Sequence, residues 1–401
     1  MTDELAPPEP IPPTLPPAPV EPPESDPSRP DRPRRSGPSR RTLIVFGGYA
    51  VAFVMVAIAQ AVHLEPVIRF VLAVVGLAFG AVAVGEATER LAERLSPAAT
   101  GVVQSVLGNL PELFLAVFAL RAGLVGVVAA ALAGSVLGNA LFVLGIALVT
   151  GGLRHGTLHF SKAANRLYAT LLLLGVAALV VPFLATRAGE PDVGRDVELS
   201  TVVAIVLLAV FAMSVPIALR LGQAGPGGAV GDREPDDIEA GHSLPPLGQT
   251  LVLLGVSAAS AAFIADWFVE ALQPAMGALG ISEAFAGLIV VALAGNAVEH
   301  LSGVTAAYRN RGDLALSLIL NSALQIVLFV APVIVLLSLF IAPVPLTLIF
   351  DPLLLGTLAV TAILVFAIVL DGEANALEGA MLIGLYLIVG AAVWWGPAIG
   401  P

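Results

Sequence analysis

Eleven stretches of about twenty mostly apolar residues limit what this chain can become. They cover 43–62, 67–86, 100–120, 124–149, 167–186, 199–219, 248–268, 283–307, 314–341, 352–370 and 376–396. A helix of roughly 20 such residues satisfies its own backbone and spans the ~30 Å hydrocarbon layer, which irregular lipid-exposed chain cannot do. Charged residues make up only 12% of the sequence and apolar ones 57%. That is about half the charge of an ordinary soluble domain. The expectation is an all-α polytopic membrane protein with eleven transmembrane helices, and the lipid bilayer is its first partner.

The remaining sequence is organised around these spans. Residues 1–42 hold 14 of the 31 prolines and almost no large apolar side chains, so they read as a disordered, Pro-rich cytoplasmic tail, partly polyproline II. They lack the charged start and apolar stretch of a signal peptide. Arg29, Arg32, Arg34, Arg35, Arg40 and Arg41 precede the first span, which places the N-terminus inside. Eleven crossings then place the C-terminus outside, and the expected location is a cell inner membrane. Between spans six and seven lies "GPGGAVGDREPDDIEAGHS", residues 225–243, an acidic connection that reads as a flexible linker, or alternatively as a weak cation-sensing segment. The formal charge of −11 comes with no basic patch interleaved with aromatics, so no nucleic-acid partner is expected. The absence of cysteine excludes disulfides, thiolate metal sites and thiol catalysis.

A register repeats across the two halves. "LGNLPELFLA" (107–116) and "LAGNAVEHLSG" (293–303) both contain Gly-Asn followed by Glu three residues after the Asn. Gly108 and Gly295, Asn109 and Asn296, Glu112 and Glu299, and Ser135 and Ser322 are each 187 residues apart. The motif helices are spans three and eight. Five spans separate equivalents, an odd number, so equivalent helices cross in opposite directions. The reading is one extra N-terminal helix (43–66), a first five-helix repeat (67–222), a linker (223–246) and an inverted second repeat (247–401). Inverted repeats of this kind build secondary transporters, with the site at the midplane between the halves.

The chemistry of the repeated residues fits that architecture. A carboxylate inside a membrane costs at least ~2.5 kcal/mol. Two facing one cavity repel each other unless a divalent cation or protons neutralise them. These two neutral states are natural end points for cation/proton exchange. Glu112 and Glu299 supply the carboxylates, Asn109, Asn296, Asn139 and Gln325 amide oxygens, and Ser135 and Ser322 hydroxyls. An all-oxygen set of adjustable geometry suits Ca²⁺ better than Mg²⁺, and both better than zinc or copper. Asn and Ser also serve as interhelical glue in membranes, and Gly often only permits close packing. His300 projects about 100° from Glu299 around the helix, so it reads as a packing residue or proton-relay neighbour. Pro111 removes one helical donor and weakens the turn before Glu112. Glu86, Glu89 and Glu93, with Arg90 and Arg94, read as a paired helix end or an inner mouth. Asp371, Glu373 and Glu378 read as a capped helix start.

The stretches "GEATERLAERL", "GNLPELFLAVFALRAG", "GSVLGNALFVLG", "ISEAFAGLIVVALAGNAVEH", "NSALQIVLFV" and "DGEANALEGAMLIGLYLI" resemble the calcium/proton antiporters of the cation/calcium exchanger superfamily. The likeness spans roughly residues 43–396. It implies that Glu112 and Glu299 bind the transported cation and exchange it for protons. It also implies that Asn109, Asn296, Ser135, Asn139, Ser322 and Gln325 take the adjacent ligand positions. Asn321 stands where the family usually has Gly, and Gln104 where Asn is expected. Pro111 beside Glu112 is more like the sodium/calcium exchangers. The implied activity is Ca²⁺/H⁺ antiport without a resident cofactor, with Na⁺-coupled exchange as the alternative. A channel would not need a paired-acid exchange site. A membrane enzyme would need a nucleophile pair or phosphate-binding cluster, and none stands near the glutamates.

Overall fold

The computed structural model describes residues 40–95, 97–189, 194–220 and 246–395; the Pro-rich segment through residue 39 and linker residues 221–245 lie outside the described residues. The first half contains α1 (Arg40–Ala61), α2 (Pro66–Ala92), α3 (Pro97–Gly108), α4 (Leu110–Arg121), α5 (Val125–His155), α6 (Lys162–Ala188) and α7 (Asp196–Arg220). The second contains α8 (Leu247–Leu279), α9 (Glu283–Gly295), α10 (Ala297–Tyr308), α11 (Gly312–Ile341), α12 (Pro352–Asp371) and α13 (Ala376–Trp395). Among the described residues, nine helices are long and apolar enough to cross a membrane, and α9 with α10, bent by 64°, makes a tenth. The protein is therefore a multi-pass membrane protein. The apolar run at 100–120 falls on two twelve-residue helices, α3 and α4, rather than on one continuous helix.

Local sequence sets where the helices begin and end. Glu65 precedes Pro66, and its carboxylate accepts from the backbone N–H groups of Val67 and Ile68. Asp351 precedes Pro352 and accepts from Leu353 N in the same way. Proline suits the first helical turn, where no intrahelical donor is required, and the preceding acid satisfies exposed N–H groups. Gly280 and Gly372 end α8 and α12 with φ of 66° and 72°, left-handed values that glycine adopts without penalty.

The described residues are mostly helical, and β1 (Thr157–His159) and β2 (Glu373–Asn375) add one short antiparallel two-stranded ladder. It ties the end of α5 to the α12–α13 junction. The start of α11 is tied in as well, since Asp313 accepts from Ser161 N at 2.6 Å and from Asn165 Nδ2 at 3.1 Å. Glu373 belongs to this ladder rather than to a helix cap. The cap of α13 is made by Asn375, whose Oδ1 accepts from Leu377 N and Glu378 N, while Glu378 accepts from Asn375 N.

The helices that carry the repeated motif are central. The most apolar stretch of α5 is 83% buried, against 28% for α1, which leaves α1 at the periphery with an extensive lipid-facing surface. Phe268, Leu120, Leu137, Leu141 and Leu144 are fully buried in one continuous core. α5 and α9 cross with backbone against backbone. A Cβ at Gly134 would collide with the backbone of Leu288, and one at Gly287 would collide with the carbonyl of Val127. Small residues allow this approach, which matters because burial against lipid supplies no hydrophobic drive between helices. The crossing brings Ser135, next to Gly134, to the motif of the other half.

Candidate functional site

Two helix breaks organise the centre. α3 stops at Gly108 and α4 starts at Leu110, with Asn109 between them at φ −93° and ψ 14°. α9 stops at Gly295 and α10 starts at Ala297, with Asn296 between them at φ −97° and ψ 21°. The two Gly-Asn pairs, 187 residues apart, thus adopt nearly one backbone conformation. Glycine weakens the helix, and in the first half Pro111 follows inside the first turn of α4. Glu112 lies in that first turn, near the N-terminal end whose exposed N–H groups favour negative charge. Glu299 lies at the equivalent place in α10; its side chain lies outside the described residues.

Each asparagine anchors itself to its own helix. Asn109, Asn139 and Asn296 donate from Nδ2 to the carbonyls of Ser105, Ser135 and Ala292, four residues earlier, at 2.8, 2.9 and 3.0 Å. The side-chain amide partly replaces the helical donors that the breaks and bulges displace. Asn139 lies within the π turn Gly138–Val143 of α5, and Gln325 immediately precedes the π turn Ile326–Val330 of α11. Such turns shift backbone carbonyls out of the regular ladder and recur at functional sites.

The remaining hydrogen bonds join the two halves. Asn296 donates to Ser135 Oγ at 3.1 Å, and its Oδ1 accepts from Asn139 Nδ2 and from Ser322 Oγ, both at 3.3 Å. Asn139 also donates to Ser322 Oγ at 3.1 Å. Asn109 donates to Gln325 Oε1 at 2.7 Å. The sequence repeat is therefore not copied bond for bond, since Asn296 meets a serine and Asn109 a glutamine. Asn139 is fully buried and Asn296 is 1% exposed, while Ser135, Ser322 and Asn109 are also buried. Asn139 Oδ1 accepts no hydrogen bond among the described residues, which leaves a buried carbonyl oxygen turned away from the network. Buried polar groups without partners cost about 1–3 kcal/mol, so this oxygen is a ready place for a cation or water.

Glu112 packs across the interface against the second break. A Cβ at Gly295 would lie 3.1 Å from both Glu112 Cγ and Glu112 Oε1. The glycine therefore makes room for the opposing glutamate as well as weakening its own helix. Glu112 also borders a small cavity with Leu115, Ala131, Ser135, Val330 and Ile334. The structure thus brings together Ser135, Asn139, Asn296 and Ser322 in one network and Asn109 with Gln325 in a pair. It places Glu112 beside Gly295. His300 is partly buried in α10, its Nε2 makes no hydrogen bond among the described residues, and it does not join the network. Glu86 is engaged by Arg90 on its own helix at 2.9 Å, and the same Arg90 bonds Thr42 of α1. The cavity residues and the reciprocal fit of Gly295 to Glu112 carry no sequence signature, because core-facing and lipid-facing positions are alike apolar.

The sequence profile of the sodium/calcium exchanger protein family matches residues 65–220 and 249–395. A Ca²⁺/H⁺ antiporter of Synechocystis sp. is 36% identical over 347 residues, 82% of this chain and 91% of that protein. One from Aphanothece halophytica is 33% identical over 347 residues, 84% of this chain and 92% of that protein. Among solved structures, native YfkE superposes with a TM-score of 0.73 at 29% identity, covering 88% of this chain and 99% of its own.

Proposed function

The chain belongs to the sodium/calcium exchanger protein family, and on that premise we propose that it exchanges Ca²⁺ for H⁺ across a membrane at a site built on Glu112 and Glu299. The activity is supported by the match to two Ca²⁺/H⁺ antiporters across more than four fifths of this chain. The observation that carries the site is the pair of matched helix breaks. Each puts a glutamate three residues beyond a Gly-Asn break, and the amides at the breaks are bonded to the opposite half of the chain. In this reading Asn109, Asn296, Ser135, Asn139, Ser322 and Gln325 supply further oxygen ligands beside the two carboxylates. Ca²⁺ takes 6–8 oxygens in flexible geometry, and two carboxylates with amide, hydroxyl and backbone oxygens make up such a set.

The exchange follows from charge. With Ca²⁺ bound, two carboxylates and one divalent ion are neutral together. When the ion leaves, protons restore neutrality before the site can cross a low-dielectric barrier. The doubly ionised, empty state is the costly one. Both loaded states are permitted to switch sides and the empty charged state is disfavoured, which couples the two fluxes. The architecture in this reading is one N-terminal helix followed by two inverted five-helix repeats, eleven spans in all. α3 with α4 forms the third span and α9 with α10 the eighth. The N-terminus is inside, the C-terminus outside, and the membrane is the inner membrane of a cell.

Purified protein in sealed vesicles tests this. With an imposed pH gradient and no Na⁺, Ca²⁺ is expected to accumulate on the side of higher proton concentration. Dissipating the gradient should stop the accumulation. Uptake that ignores pH and requires Na⁺ would overturn proton coupling and assign the chain to Na⁺-coupled exchange.

A further inference from the structure

The small cavity beside Glu112 differs in kind from the ligand network. It starts at the carboxyl group and follows α4 toward its Arg121 end, flanked by Ala131 of α5 and by Val330 and Ile334 of α11. Of its 13 lining residues, only Glu112 and Ser135 carry a side-chain oxygen. Asn139, Asn296, Ser322 and Gln325 do not line it. Its volume is about 30 Å³, and a water molecule needs a cavity of roughly 10–15 Å³. One or two waters fit. A Ca²⁺ ion does not, because it would have to shed its hydration shell where three side-chain oxygens, two of Glu112 and one of Ser135, replace the six to eight it needs.

We propose that this cavity is a water-only antechamber to Glu112, through which protons but not Ca²⁺ reach the carboxyl group. The inference rests on the Ca²⁺/H⁺ exchange reading. The two substrates then approach one carboxylate from different sides, Ca²⁺ through the oxygen-lined network and protons through the apolar cavity. A carboxyl group exchanges protons through one bridging water, and bulk water on the side to which the site opens supplies them. Apolar walls keep the water few in number and leave the ion no foothold.

Filling the cavity separates the two routes. Ala131→Leu places three more carbons in it, and Ala131→Val is the milder form if the first disturbs folding. Two rates are measured on each variant in vesicles. Isotopic Ca²⁺/Ca²⁺ exchange returns the carrier loaded with Ca²⁺ and needs no proton on the carboxylates. Ca²⁺/H⁺ exchange does need one. The expected result is a fall of about tenfold in Ca²⁺/H⁺ exchange, with Ca²⁺/Ca²⁺ exchange within about twofold of wild type. Intact Ca²⁺/Ca²⁺ exchange also shows that the variant is folded. An equal fall in both rates would overturn the proposal by placing the cavity on the Ca²⁺ route or in the moving machinery. No change in either rate, in a variant that fills the cavity, would overturn it as well. The wild-type protein run alongside keeps the two claims apart, since failure of its pH-driven uptake refutes the exchange reading and not the antechamber.

Discussion

Glu112→Gln is expected to lower Ca²⁺/H⁺ exchange by more than about a hundredfold, and Glu299→Gln to do the same. The estimate follows from removing one charged partner from a buried ionic cluster, which costs about 3–5 kcal/mol, with each tenfold in rate worth 1.36 kcal/mol. Glutamine keeps the shape and an amide oxygen, so the helices around it should still pack. In the folded protein Glu112 fits against Gly295, and the substitution adds no atom to that contact. The check is initial exchange rate per mole of membrane-inserted protein, with thermal stability in detergent as the control for folding. A rate near wild type in either variant would remove the two-carboxylate site.

Asn296→Ala should have the next largest effect. The Asn296 side chain touches Ser135, Asn139 and Ser322 together, and it anchors itself to the carbonyl of Ala292. Its loss strands several buried polar groups, at about 1–3 kcal/mol each. The half-saturating Ca²⁺ concentration is expected to rise about tenfold or more, at 1.4 kcal/mol per tenfold. Ser322→Ala removes one member of the network and leaves the Asn296–Ser135 and Asn296–Asn139 bonds in place, so its rise should be smaller. Equal and slight effects from both substitutions would mean that the network only holds helices together.

Much of this arrangement could be read from the sequence because membranes punish irregularity. Apolar runs had to be helices, and the repeated Gly-Asn-x-x-Glu register at 108–112 and 295–299 stood out within them. The structure breaks both helices there, where α4 and α10 begin. What failed was whatever depends on contacts between distant segments. β1 and β2 are three residues each, "TLH" and "EAN", too short for one polar-apolar-polar alternation to mark a strand, and they pair where helix ends far apart in sequence arrive side by side. The π turns in α5, α9 and α11 are register shifts within apolar stretches whose composition is that of an ordinary helix. The choice of Gln325 as the partner of Asn109 breaks the symmetry that the 187-residue offset suggested. Side-chain length decides it: Gln325 stands one turn beyond Ser322 and reaches across. The cavity beside Glu112 was illegible for a simpler reason. Val330 and Ile334 line it, yet they differ in no way from residues that face lipid.

The central claim is that Ca²⁺ and protons compete for the same carboxylates. Measuring proton release on adding Ca²⁺ to the purified protein in weakly buffered detergent solution, over a series of pH values, tests this most directly. If both substrates use Glu112 and Glu299, protons leave as Ca²⁺ binds, the apparent Kd for Ca²⁺ rises as pH falls, and the release shrinks in Glu112→Gln. Ca²⁺ binding with one affinity across the series and no released protons would contradict the account.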